Sequence, residues 1–396
     1  MDSTTQRRNV IRLAIAQALS MTSMNVNIIN TALVGVLLAP VAWLATLPLS
    51  LQFITSMMVT LPASLLMARF GRRPVMIAGV LISCMSTTCL GVAVVTGNFL
   101  LFCAGSMGLG VAMGIASYYR YAAADGVATN LRPKAIAYVL AGGLAAAVLG
   151  PEIARRTVDL VPDILYAGCF FTVAIVQLTS IIALSGLRIE VPKRSASGGR
   201  PLGAFLRMPV FVVGVICSAL GYALMSYLMT ATPLQVVNVA GLGNSANATI
   251  IQWHVVAMFL PSFFTGSIIA RIGALRVLWA GVLLYGVTIY LAVGAVGFWP
   301  YWMALATLGL GWNFLYVGGT SLVAAVAEPE ERGRVQGFAD LATTTTVAVA
   351  SLSAGAIHSQ LGWDAVSLAA LVPVTVLSLA LVWLGLAQRR QAASVV

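Results

Sequence analysis

Charge is scarce in this chain. Charged residues make up 8% of its 396 residues, whereas an ordinary soluble domain has roughly 25%. Acidic residues number 11 and histidines 2, while 60% of the residues are hydrophobic. This composition excludes an ordinary soluble domain and indicates a chain that lies largely within lipid.

Cysteine is also infrequent, and no cysteine lies in a predicted outer loop, where a disulfide could form. All five cysteines lie inside long apolar runs rather than in outer loops: Cys84, Cys89, Cys103, Cys169 and Cys217. No disulfide framework is therefore expected. The sequence also lacks a nucleotide-binding loop, a zinc-protease motif and a nucleophile arrangement, so we predict neither an enzyme nor a bound cofactor.

Twelve apolar runs extend from one end of the chain to the other, each long enough to cross a bilayer as a helix. A membrane β-barrel would show shorter segments of alternating hydrophobicity, so the predicted fold is an all-α membrane protein with twelve transmembrane helices. The predicted spans are 11–35, 41–67, 75–96, 99–119, 134–154, 164–187, 209–231, 247–269, 276–297, 300–325, 335–357 and 364–387.

The net charge of +11 is explained by membrane topology. With an even number of spans, both termini lie on one side, and 20 of the 22 basic residues fall on that side; Arg155 and Arg156 are the exceptions. The positive-inside rule assigns the basic side to the cytoplasm. We therefore predict a multi-pass protein of the bacterial inner membrane with both termini cytoplasmic, with the lipid bilayer as a partner and no nucleic acid.

An internal repeat divides the chain into two halves. The segment Ala68–Gly71 and the following Ala78–Leu81 recur as Ala270–Gly273 and Ala280–Leu283, at a constant offset of 202 residues. A basic, Pro/Gly-rich segment lies between the halves. The prediction is a six-helix half at 1–187, a cytoplasmic linker at 188–208 and a second six-helix half at 209–396, an organisation found in transporters.

Two motifs in the second half indicate a metal. Met225 and Met229, and likewise His254 and Met258, are spaced at i and i+4, which places each pair on one helix face. Thioether and imidazole are soft, uncharged ligands, and thioether selects Cu(I). A histidine within a membrane is costly and functional by default. The alternative is packing, in which His254 bonds across helices and the methionines fill gaps.

Other residues at membrane depth have open roles. Met21 and Met24 could form a second metal station, and Cys217 could pass copper inward, although packing is the simpler interpretation of all three. Glu152 could pair with Arg155 or Arg156 or act in transport. Asp340 could serve as a gate, an ion pair or a proton-coupling group.

The whole chain resembles the major facilitator superfamily. The segment Arg69-Phe70-Gly71-Arg72-Arg73, between the second and third spans, is similar to the signature loop of that family. Two positions depart from the pattern: Ala68 replaces the usual acid, and Ser64 replaces the usual early glycine. The arginine common in the fourth span of the family is also absent.

Within this superfamily, the Met225/Met229 and His254/Met258 motifs resemble the CcoA-type bacterial copper importers. That resemblance implies import of copper, as Cu(I), by alternating access for haem–copper oxidase assembly, with a copper chaperone or oxidase assembly factor as a possible partner. The alternatives are an importer of riboflavin, with which relatives of this subgroup are associated, an exporter of another small molecule, or a membrane copper sensor or assembly factor.

Overall fold

The computed structural model describes residues 3–125, 127, 132–189, 200–328 and 331–393. These residues form helices joined by short turns, and no strand occurs among them. The helices are α1 (Ser3–Leu38), α2 (Leu47–Phe70), α3 (Arg72–Thr96), α4 (Phe99–Ala116), α5 (Tyr119–Asp125), α6 (Arg132–Thr157), α7 (Ala167–Ser185), α8 (Leu202–Phe205), α9 (Pro209–Pro233), α10 (Gly243–Phe259), α11 (Ser262–Ile272), α12 (Ala274–Ala292), α13 (Phe298–Ala325), α14 (Arg332–Ala369) and α15 (Leu371–Ala393).

The helices account for every predicted span. By length and apolar character alone, 8 helical segments of the described chain could cross a membrane, or 9 if α10 and α11 form one bent span. One of the 8 runs for 57 residues, from Arg334 to Arg390. Gly362 interrupts it with a φ of 79°, so it covers two predicted spans. Helices α6 and α13, with 26 and 28 residues, cover the remaining two.

The repeat found in the sequence recurs in the backbone. Gly71 ends α2 with φ 87° and ψ 161°, and Gly273 ends α11 with φ 85° and ψ 151°. Each glycine N–H closes its helix by donating to a carbonyl four residues back, Met67 in one case and Ile269 in the other. Only glycine adopts this backbone region readily. The two turns are thus equivalent in conformation as well as in sequence.

The chain forms two compact units. The first comprises residues 1–194 and 232–252, and the second comprises 195–231 and 253–396. In the first, Val237 packs on a core that contains Leu33, Phe102 and Phe170. Each predicted half therefore shares most of its residues with one compact unit. The exception is segment 232–252, which was predicted in the second half and packs within the first unit.

Both ends of the predicted linker are anchored, each within its own unit. Its central residues 190–199, including the predicted basic positions Lys193 and Arg194, lie outside the described residues. At the start, the Asn9 side chain donates to the Arg188 carbonyl at 2.7 Å and accepts from its N–H at 3.2 Å. At the end, the Arg200 side chain donates to both carboxylate oxygens of Glu331, at 2.9 and 2.8 Å.

Glu331 is the centre of this second anchor. Its side chain is 2% exposed and also accepts from the backbone N–H groups of Arg200 and Glu328. These bonds, with the Arg200 side chain first, lower the pKa of the Glu331 carboxyl to about 2. Hydrogen bonds to the charged form of an acid favour that form, so Glu331 holds the linker end as a carboxylate.

The glycine turn gives a first prediction. Gly273→Ala should lower the free energy of unfolding by about 1–3 kcal/mol, because alanine resists this backbone conformation. Gly286→Ala is the matched control. Gly286 lies inside α12, and at both glycines the space that an alanine methyl would take has no neighbouring atom within 4 Å, so the two sites differ in backbone conformation. Thermal unfolding of the detergent-solubilised variants measures both, and equal effects would contradict the argument.

A second prediction concerns the pH dependence of Glu331. Since its folded-state pKa is depressed, its contribution to stability is complete above the ordinary value of 4.5 and is lost as the pH falls toward 2. Glu331→Gln should therefore lower the melting temperature clearly at pH 7 and by less at pH 3.5. Glu328→Gln, at an exposed neighbour that keeps its N–H bond, is the control. A gap between wild type and Glu331→Gln that stays constant with pH would refute this role.

Candidate functional site

The four predicted metal ligands lie on two helices of the second half. Met225 and Met229 are one turn apart within α9, and His254 and Met258 are one turn apart within α10. All four are buried, with exposed fractions of 2%, 5%, 0% and 6% in that order. Burial suits both a metal site and packing, so the metal site remains a prediction.

The imidazole of His254 makes one interhelical hydrogen bond, which is the kind of contact that the packing alternative predicts. Its Nδ1 lies 2.7 Å from the Leu305 carbonyl oxygen in α13. Because a carbonyl can only accept, Nδ1 carries the proton and Nε2 is left as a lone-pair acceptor. Nε2 has no hydrogen-bond partner among the described residues. The interhelical bond fits the packing alternative, while the free lone pair keeps ligation chemically possible.

Helices α10 and α11 are separated by a break that lies in the second unit. α10 ends at Phe259, α11 begins at Ser262, and their axes differ by 41°. Pro261 lies in the break and has no N–H to donate, which interrupts the helical bonding pattern. Broken helices at membrane depth occur where the backbone is buried in protein or lines a cavity.

Asn313 of α13 forms hydrogen bonds with residues on both sides of the break. Its side-chain amide donates to the Met258 carbonyl at 2.8 Å and to the Ser262 hydroxyl at 2.6 Å. Its oxygen accepts from the Thr265 hydroxyl at 2.6 Å. Asn313 is fully buried, and its side chain forms hydrogen bonds on both sides of the break. These bonds hold the bent segment against α13.

An aromatic cluster includes a residue at this break. Trp312 and Tyr316, one turn apart on α13, stack almost parallel, with an interplanar angle of 9° and centroids 5.0 Å apart. Tyr222 of α9 meets both rings edge-on, at 5.4 and 5.5 Å. Phe259, at the end of α10, meets Trp312 at 5.9 Å. Three helices therefore present four rings at one place.

The first unit holds a different buried cluster, formed by uncharged polar groups. On α1, Asn27 donates to the Gln52 side chain of α2 and accepts from Thr31 at 2.7 Å. Gln52 also approaches the Met113 sulfur of α4, at 3.9 Å. Amides buried among apolar helices are costly without partners. These are paired with one another and could exchange partners with a polar substrate.

The acidic residue Glu152 takes the structural role that the sequence left open. It forms ion pairs with Arg155, at 2.9 Å, and with Arg156. Arg155 also reaches the Gln252 side-chain oxygen of α10, at 3.4 Å. These contacts lie within the first unit, and the Arg155–Gln252 contact joins segment 232–252 to the end of α6.

The remaining predicted positions are less informative. Met21 and Met24 are half-buried on α1, and Asp340 is half-buried on α14. Cys217 is buried on α9 against Gly319 of α13, as a packing role requires. No group of three His, Cys, Asp or Glu side chains comes together in the described ranges. That observation does not test a site built on methionine.

Sequence reasoning missed the aromatic cluster and Asn313. The rings come from positions 222, 259, 312 and 316, which no local motif joins. Two signals were present: Trp312 and Tyr316 share a helix face, and Pro261 interrupts a predicted span. Neither signal identifies the partner helices.

Comparison with known proteins gives substantial similarity to transporters. The chain is 37% identical to the riboflavin transporter RfnT of Brucella anthropi over 372 residues, which cover 92% of this chain and 93% of the relative. It is 28% identical to the uncharacterized MFS-type transporter YdeG of Bacillus subtilis, with 84% and 83% covered, and 25% identical to YddS of the same species, with 80% and 76% covered.

These similarities correct the expected subgroup. The sequence motifs suggested a CcoA-type copper importer, but the comparisons do not support copper, metal binding or a role in oxidase assembly. They favour the riboflavin alternative. The reason is that an i, i+4 pair of soft side chains is also an ordinary packing arrangement between helices, so the motif carried less information than the similarity of the whole chain.

The Major Facilitator Superfamily profile matches residues 13–261 and 245–395, which together span almost the entire chain. The helical fold, the repeated glycine turn and the related transporters agree with this match. The chain therefore belongs to the major facilitator superfamily and is a multi-pass membrane transporter.

Proposed function

We propose that this protein is a riboflavin transporter. The observation that carries the proposal is the 37% identity to a riboflavin transporter, which extends over more than nine-tenths of both chains. Similarity of this extent includes most of both compact units, so it covers the membrane-embedded residues among which a substrate would bind.

The chemistry of the described residues supports this substrate. Riboflavin combines a flat, uncharged aromatic ring system with a polyhydroxyl chain. The second unit contains the four-ring aromatic cluster, and the first contains the paired amides Asn27 and Gln52. Ligand sites commonly combine aromatic walls with a few polar groups that fix orientation.

The proposed orientation follows from the charge distribution. The predicted topology puts most basic residues on the side of the termini, and the positive-inside rule then supports cytoplasmic termini in a bacterial inner membrane. Transport is inward in this proposal and proceeds by alternating access between two repeats.

Cell uptake tests the proposed substrate. In a bacterial riboflavin auxotroph without its own transporter, expression of the chain should restore growth on low riboflavin and raise uptake of labelled riboflavin several-fold above an empty vector. Unlabelled riboflavin should compete with the label. The control is a comparable measurement with a labelled sugar, whose uptake should not change. Background riboflavin uptake, with the protein present in the membrane by blot, would refute the proposal.

Copper import is kept as a second candidate because of one observation: His254 is fully buried and its Nε2 lacks a partner in the described structure. Met258 follows one turn later, and Met225 and Met229 lie on the neighbouring span in sequence. Met225 and His254 would hold Cu(I) as neutral ligands. A copper chaperone or assembly factor as a partner remains a prediction of this candidate.

Volume-conserving variants separate the two candidates. Met225→Leu and Met258→Leu remove the thioethers with little disturbance of packing. For a riboflavin transporter, both variants should retain riboflavin uptake near the wild-type level, and neither they nor the wild type should accumulate copper above the vector. Copper accumulation by the wild type that both variants lose, measured by metal analysis of washed cells, would instead establish the copper candidate.

A further inference from the structure

The aromatic cluster consists of Tyr222, Phe259, Trp312 and Tyr316, and two of its rings lie near the middle of their helices. Tyr222 lies 13 residues after the start of α9, which has 25 residues, and Trp312 lies 14 residues after the start of α13, which has 28. Phe259 is at the break between α10 and α11. All three positions are near the centre of a predicted span (209–231, 300–325 and 247–269 in that order), and transporters of this architecture bind substrates near mid-membrane beside broken helices.

Trp312 carries a buried hydrogen-bond donor that is not paired within the described structure. It is 5% exposed, yet its indole Nε1–H has no hydrogen-bond partner in the described structure. A buried tryptophan N–H usually finds a partner, and an unmet buried donor costs about 1–3 kcal/mol. The neighbouring Asn313 side chain is already engaged, because its oxygen accepts from Thr265. A donor is therefore available for a carbonyl of a ligand.

The other three rings keep accessible surface. Tyr222, Phe259 and Tyr316 are half-buried, whereas the core aromatics Phe102 and Phe211 are completely enclosed. Partial exposure of rings at mid-helix depth is unnecessary for packing, and it leaves faces and edges on which a planar molecule can stack. Stacking of a heteroaromatic base on a protein ring is worth about 1–3 kcal/mol.

We propose that this cluster is the subsite that binds the planar ring system of the transported molecule. The ring stacks against the cluster, and a ring carbonyl accepts from Trp312 Nε1–H. The inference rests on the proposed function for its ligand, since the isoalloxazine ring of riboflavin is flat and bears carbonyl groups. In this proposal the residues that recognise the ring are Tyr222, Phe259, Trp312 and Tyr316. Asn313 is a positioning residue, because it bonds to both sides of the break.

Two variants test the subsite. Trp312→Ala removes the ring and the donor, and Phe259→Leu removes an aromatic face while keeping an apolar side chain. Each should raise the half-saturation concentration for riboflavin uptake, Trp312→Ala by about tenfold to a hundredfold, as expected for one lost stacking contact. Lumichrome, an alloxazine that keeps the flat tricycle and both carbonyl groups of the flavin ring but lacks the polyhydroxyl chain, should inhibit wild-type uptake and inhibit both variants more weakly.

Trp299→Ala provides the matched control. Trp299 is on the same helix, is 66% exposed and packs edge-on to Trp302 rather than to the cluster. Its substitution should leave the half-saturation concentration and lumichrome inhibition unchanged. Size-exclusion profiles and membrane levels show which variants fold. If Trp312→Ala does not fold, Phe259→Leu and Trp312→Phe, which keeps a ring without the donor, replace it.

The outcomes distinguish this inference from the proposed function. In one outcome the wild type takes up riboflavin, and the folded variants keep the wild-type half-saturation concentration and the wild-type inhibition by lumichrome. That outcome would overturn the aromatic subsite and leave the proposed function standing. Absence of riboflavin uptake by the wild type would overturn the function and, with it, the flavin subsite. Weakened ring inhibition in the variants, with Trp299→Ala normal, would confirm both.

Discussion

The hydrocarbon interior of a bilayer offers no hydrogen-bond partners, and this constraint governs the protein. Every backbone group within the membrane must be satisfied by the protein itself, which is why the described chain is helical and why its one bent helix pair requires a dedicated partner. Pro261 removes a donor, and Asn313 bonds to Met258 and Ser262 across the break. The same residue joins α13 to the bent helix pair, one position after Trp312.

Much of the fold could be predicted because the membrane imposes it locally. Apolar length identified the helices, and the offset of 202 residues revealed the repeat whose turns, at Gly71 and Gly273, have the same backbone conformation. The orientation drawn from the basic residues stays a prediction. The assignment of segment 232–252 to the first unit could not be predicted, because it depends on side-chain contacts such as Arg155 with Gln252.

The candidate site was harder to predict for a physical reason. A motif within one helix is visible in sequence, so the Met225 and His254 pairs drew attention, although buried methionine and a histidine bonded to a carbonyl are also ordinary interhelical packing. The aromatic cluster depends on three helices meeting, and spacing in sequence does not encode that meeting. Local patterns therefore favoured copper, whereas similarity over the whole chain favours riboflavin.

The proposed substrate, riboflavin, is uncharged, and so are the side chains of the buried cluster described in each unit. The four residues of the aromatic cluster carry no charge, and the network around Asn27 is formed by amides and a hydroxyl. The most direct test of the central claim is riboflavin counterflow with the purified protein in liposomes. Labelled riboflavin should accumulate transiently against a high internal concentration of unlabelled riboflavin, at a rate that depends on the protein. Accumulation no faster than in protein-free liposomes would contradict the assignment.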